Sequence, residues 1–201
     1  MLAPGARPYD GRVGVPGDQA GVRVIRIADY DPVWPARFVE IGAALRTALG
    51  DVALRVDHIG STSVPGLAAK PIIDVQVSVE RLEPVAPFRD PLVGLGLVYR
   101  AENPERTKRY FREAPGQPRT HIHVRRAGSF SEQFALLFRD FLRVDLRAAG
   151  DYVALKRTLA QRYPHDGQAY TDAKAPFCWE IIQRADTWAQ RTGWEPGPSD
   201  I

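Results

Sequence analysis

Residues 57–79 read DHIGSTSVPGLAAKPIIDVQVSV, and the rest of the chain is organised around this stretch. An apolar run leads into a loop of small hydroxyl residues, then a Pro65-Gly66 turn, Lys70, and a second run carrying one acid, Asp74. The loop offers groups that suit a phosphate: backbone N–H groups at Gly60 and Gly66, the hydroxyls of Ser61, Thr62 and Ser63, and the Lys70 ammonium. Capping a short helix would account for one of these hydroxyls, not for three in a row beside two glycines. In the second run Ile73, Val75, Val77 and Val79 alternate with Asp74, Gln76 and Ser78, which predicts a strand over 72–79 with the acid on its polar face. A Walker loop is excluded, because Pro65 stands five residues after Gly60 and Leu67 follows Gly66 where a lysine is needed. No G-x-G-x-x-G fingerprint is present either.

Upstream, 52–59 reads as a strand entering the loop. Before it, Asp31-Pro32 starts a helix whose apolar positions Trp34, Phe38, Ile41, Leu45 and Leu49 recur at helical spacing until Gly50. Val22 to Ile27 suggests a short strand, and residues 1–21, dense in Gly and Pro, a flexible arm. Downstream, 81–96 predicts a helix interrupted near Pro84, Pro87 and Pro91. Two strands, 108–113 and 119–126, follow as a hairpin joined by Ala-Pro-Gly-Gln-Pro. In the second, Thr120, Ile122 and Val124 alternate with Arg119, His121, His123 and Arg125, so two histidines and two arginines share a face. From Ser131 the pattern is helical, through Phe134, Phe138, Phe141, Tyr152, Leu159, Phe177 and Ile181. The expected class is α/β (α+β): a mixed-direction sheet, because a hairpin follows a βαβ-like start, flanked by helices and with a helical last third. Residues 22–192 are expected to form one domain, and 193–201 to fray.

Composition bounds the function. With 201 residues, 44% hydrophobic and 25% charged, the chain has the make-up of an ordinary globular protein able to bury a core. A net charge of +3 without long runs of like charge does not call for a nucleic-acid partner. One cysteine, Cys178, cannot form an internal disulfide, and no stretch reads as a leader or membrane span, so a cytoplasmic location is expected. Of 27 basic residues only Lys70, Lys108, Lys156 and Lys174 are lysine, a bias attributed to genome composition.

The run HIGSTSVPGLAAKPIIDVQV resembles the signature of the GrpB (UPF0157-type) family, whose fold is that of the nucleotidyltransferase superfamily. YDPVWPARF, HIHV, FRDFLR and the 152–174 region add to the likeness, which covers roughly residues 23 to 190. The resemblance implies a nucleotidyltransferase-like sheet, with Gly60 and Ser61 gripping phosphate and Asp74 as the catalytic acid and metal ligand. It also implies a nucleotide or other phosphorylated small molecule as ligand, and members occur fused to dephospho-coenzyme A kinase.

This sequence departs from the pattern of active nucleotidyltransferases, in which several acids hold two divalent ions. Gln76 stands where a second acid is expected, and His121 and His123 where a third would lie. Two readings follow. Asp74 with His121, His123 and His58 holds one divalent ion, magnesium, manganese or zinc, with imidazole favouring the softer ones. Alternatively Lys70, Arg119, Arg125 and the loop amides hold an anionic ligand without metal, a set to which the family resemblance adds Lys174. The second is preferred, because alternation guarantees only that His121 and His123 share a face.

Overall fold

The computed structural model describes residues 24–201. A five-stranded sheet is built from β1 (Arg55–Ile59), β2 (Ile73–Val79), β3 (Val98–Tyr99), β4 (Lys108–Arg112) and β5 (Thr120–Arg126), in the order β1-β2-β5-β4-β3. Only β2 and β5 run parallel, and the other neighbours are antiparallel. The sheet is therefore mixed, as expected, but β1 and β2 do not form a βαβ start: the loop reverses the chain and they pair antiparallel. The 108–126 hairpin is present as β4 and β5.

Helix α1 (Val33–Leu49) buries Trp34, Phe38, Leu45 and Leu49 against Val75, Val77, Ile122 and Val124 of the sheet. The Asp31 carboxylate accepts from Val33 N at 2.9 Å, one residue earlier than a cap on the first helical turn would be placed. Gly50, at φ +50°, opens a 3-10 turn over Gly50–Val52, which delays the strand expected from residue 52 to Arg55. Helix α2 spans only Ala86–Gly94, with Pro87 in its first turn and Pro91 inside it, so the prolines shorten rather than divide the expected helix. The strand expected over 22–27 is not present in its described part; the pairing there is one bridge between Ala28 and Ala69. The arm expected at 1–21 lies outside the described residues.

The opposite sheet face is covered too. Helix α3 (Phe130–Val144) lies over it, with Gln76 and Ser78 fully buried and the Glu132 carboxylate accepting from the Ser78 hydroxyl. The face that alternation marked as polar is therefore, at Gln76 and Ser78, an interface between sheet and helix. Helices α4 (Leu146–Arg162) and α5 (Gly167–Thr192) join α3 in a second core that takes in Val64 and Leu67 of the loop. The loop is thus clamped between sheet and helices, and Arg143 of α3 donates to Ser63 O at 2.9 Å.

Residues 193–201, expected to fray, instead follow the open edge of β1. Ser199 Oγ accepts from Val56 N at 2.8 Å, Asp200 Oδ2 accepts from His58 N at 2.9 Å, and Ile201 N donates to Val56 O at 3.2 Å. Arg139, only 3% exposed, also donates to Asp200 Oδ2 at 2.9 Å. An edge strand leaves backbone groups unpaired, and this segment satisfies them.

Candidate functional site

The parallel register of β2 and β5 sets Asp74 beside His121 and Gln76 beside His123, all on the face away from α1. Asp74 Oδ1 lies 3.2 Å from His121 Nδ1 and 3.1 Å from His123 Nε2. The three side chains are only partly buried, with Asp74 27% exposed, so solvent reaches the cluster. The Tyr110 ring packs against both imidazoles, at centroid distances of 5.5 and 5.2 Å. Burial pushes the Asp74 carboxyl up, but hydrogen bonds from His121 and His123 outweigh it and hold the acid well below its ordinary range. Burial lowers His123 to about 3, so it is neutral at pH 7.

His58 does not join this cluster. On β1 it stands opposite Val75, on the α1 face, where its ring stacks on Phe38 at 4.6 Å and its Nε2 meets Thr62 Oγ1 at 3.1 Å. Directly paired residues on neighbouring strands point to one face, and Val75 and Asp74 point to opposite ones. Adjacency in sequence to the loop therefore put His58 on the wrong side of the sheet.

Gly60 has φ +71° and ψ −173°, a conformation open in practice to glycine alone. The turn brings Ser61 out toward α4, while Thr62 and Ser63 turn inward. Thr62 Oγ1 donates to Ile72 O at 3.0 Å and Ser63 Oγ donates to Gly60 O at 2.6 Å, both residues being buried. Contrary to expectation, these two hydroxyls hold the loop's shape and are not presented to a ligand.

Ser61 has a partner that the sequence reading left out. Lys156 of α4, 2% exposed, donates to Ser61 Oγ at 3.1 Å and to Ala68 O at 2.5 Å. Its ammonium lies 4.4 Å from the Tyr152 ring centre. Lys70 sits 3.5 Å over the Tyr170 ring, and Lys174 lies 5.8 Å from Tyr152 and 5.9 Å from Tyr170. Tyr152 and Lys156, like Tyr170 and Lys174, are four residues apart on a helix and so share a face. Three of the four lysines in the chain converge here; the fourth, Lys108, pairs with Glu105 at 2.6 Å. Among the described residues no carboxylate forms an ion pair with Lys70, Lys156 or Lys174. Burial, with the neighbouring cations, lowers Lys70 and Lys156 to about 7. The signal that could have found Lys156 was the rarity of lysine in an arginine-rich chain.

Arg119 and Arg125 flank the His121/His123 cluster on β5. Arg119 Nη2 lies 3.3 Å from His121 Nε2, and its Nε donates to Glu113 Oε1 at 3.3 Å. Arg125 Nη1 donates to Gln76 Oε1 at 2.6 Å, so Gln76 holds an arginine at the position where an acid would hold a metal. A pair of magnesium ions, each needing several oxygen ligands, does not fit one carboxylate flanked by two imidazoles and an amide tied to arginine.

A family model described as GrpB protein matches residues 24–184. The chain is 37% identical over 198 residues to a dephospho-CoA kinase of Mycolicibacterium paratuberculosis, a match covering 86% of this chain and 48% of that protein. It spans about half the length of the curated dephospho-CoA kinases it matches. A UPF0157 protein of Pseudomonas aeruginosa is 37% identical over 189 residues, covering 92% of this chain and 76% of that one. The crystal structure of the conserved protein GrpB from Enterococcus faecalis matches with a TM-score of 0.74 and 36% identity, over 81% of this chain and 99% of that one. Among the described residues no helix is long and apolar enough to cross a membrane.

Proposed function

Because the chain belongs to the GrpB family, its model matching residues 24–184, we propose that it binds a nucleotide or another phosphorylated small molecule at the Gly60 loop. Lys70, Lys156 and Lys174 meet the phosphates there, with Ser61 Oγ and the loop amides. The observation that carries this reading is the gathering of three ammonium groups around Ser61, Tyr152 and Tyr170 with no carboxylate paired to them among the described residues. Clustered, partly desolvated cations repel one another and are costly to hold, and a polyanion relieves that cost. Where the ligand is a nucleoside triphosphate, the reaction implied by the family resemblance is nucleotidyl transfer to an acceptor, with Asp74 as the one catalytic acid. Arg119 and Arg125 border the ligand on the β5 side.

Calorimetry with ATP, CTP, GTP, UTP and pyrophosphate, with and without magnesium or manganese, tests this. Binding is expected to weaken by about tenfold or more in Ser61→Ala and Lys156→Gln. Absence of binding to every one of these ligands would sink the proposal.

The alternative reading is a non-catalytic ligand-binding or accessory domain. It is favoured by relatives named dephospho-CoA kinase that are about twice the length of the matched region, and by the loss of acids at Gln76, His121 and His123. Gln76→Asp separates the two: gained metal-dependent turnover supports a weakened enzyme, and unchanged silence supports the accessory role.

A further inference from the structure

The donor set beside the loop has a chemistry of its own. Asp74 Oδ1, His121 Nδ1 and His123 Nε2 are drawn from two adjacent strands and all lie within 4.8 Å of one another. Two donors about 2.1 Å from a single ion subtend about 95 to 100° when they are 3.1 to 3.2 Å apart, the separations of each imidazole nitrogen from Asp74 Oδ1. The strands themselves are held by seven-residue parallel pairing, so the three side chains are presented from a fixed backbone. We infer that Asp74, His121 and His123 form a mononuclear centre for a divalent transition-metal ion of the manganese, iron, cobalt or zinc class, in place of a magnesium pair.

Ligand chemistry decides the class. Magnesium takes an octahedron of oxygens and binds imidazole poorly, whereas two neutral imidazoles and a carboxylate suit first-row transition ions. The His123 ring packs against Tyr110, which turns its Nε2 to the acid at 3.1 Å. Three protein donors leave coordination positions open, as in catalytic rather than structural centres. The inference extends the phosphate reading and rests on it only for the use of those positions, where a bound ion would polarise a phosphoryl oxygen. Metal binding itself is independent of any nucleotide.

The test uses metal alone. Chelator-stripped protein is titrated by calorimetry with zinc, cobalt, manganese and magnesium chlorides in the absence of nucleotide. One equivalent of zinc or cobalt is expected, bound at least about 100-fold more tightly than magnesium. His121→Ala and His123→Ala should each weaken zinc by about 100-fold, while His165→Ala, at an exposed position, should leave it unchanged. On the unaltered chain, which avoids any question of folding, cobalt(II) should broaden the imidazole proton signals of His121 and His123 beyond those of His58 and His165. No stoichiometric binding, zinc no tighter than magnesium, or cobalt broadening centred on His58 or His165 would overturn the inference. Because no phosphate is present, such a failure leaves the nucleotide titrations to stand or fall separately.

Discussion

The backbone of Gly60 lies so close to Asp74 that a methyl group at position 60 would sit 2.8 Å from the carboxylate Oδ2. The Gly60 loop and the acid of the next strand thus leave no room for a side chain between them, and the positive φ of Gly60 is what permits the approach. Loop and acid form one unit.

Gly60→Ala meets two penalties, the strain of φ +71° and the clash with Asp74. Chemical denaturation should show a loss of about 1 to 3 kcal/mol. Zinc and pyrophosphate binding should both weaken, since both ends of the unit are displaced. A variant with parental stability and affinities would contradict the described turn.

Lys156→Met replaces a buried ammonium, which has no carboxylate partner among the described residues, by an apolar side chain of similar length. Stability at pH 6 should stay within about 1 kcal/mol of the parent or rise, while pyrophosphate affinity falls about tenfold or more. Calorimetry and thermal melts on one preparation read both. Loss of stability with affinity intact would assign Lys156 to structure alone.

The pH dependence follows from the two lysines lowered to about 7 from an ordinary value of 10.5. Between those values the unfolded chain holds more protons, so these groups add stability as pH rises through about 7, and they add none below it. Anion binding works in the opposite sense, because it needs the ammonium forms. Sulfate, whose charge is constant over this range, should bind more weakly at pH 9 than at pH 6. Near pH 8 its binding should take up protons, measurable as a buffer-dependent heat. A flat sulfate profile would remove Lys70 and Lys156 from the anion site.

Arg119 Nη2 faces His121 Nε2 at 3.3 Å, an arrangement that keeps the imidazole proton on Nδ1, toward Asp74. A metal on Nδ1 moves that proton to Nε2, against the arginine N–H. Arg119→Gln should therefore raise zinc affinity by several-fold in calorimetric titration. Unchanged or weaker binding would argue against Nδ1 as the metal-bound atom.

Asp200 accepts from His58 N and from Arg139, tying residues 197–201 to β1. Asp200→Ala should cost about 1 to 2 kcal/mol and lower Tm by roughly 2 to 8 °C. Amide exchange should speed up at Val56 and His58 while β2 and β5 stay protected. Uniform exchange across the sheet would show that the segment does not guard the edge.

What could be read along the chain was local. The 3.6-residue spacing of Trp34, Phe38, Leu45 and Leu49 encoded α1, the alternation of Ile73 to Val79 encoded β2, and the glycine and small hydroxyl residues of 60–63 marked a tight loop between two strands, because each depends on neighbours a few positions apart. The mixed α/β class and the pairing of His121 with His123 on one face came from the same periodicities. What the tertiary structure alone decided depended on strand register and long-range packing. Register put Asp74 between the two histidines and sent His58 to the other face. Helix packing buried Gln76 and Ser78 beneath α3, drew Thr62 and Ser63 inward, and brought Lys156 to Ser61 across 95 residues of chain. The segment at 193–201 reads as a tail because its bonds are to backbone groups of β1, and no local pattern records which strand edge is left open for it.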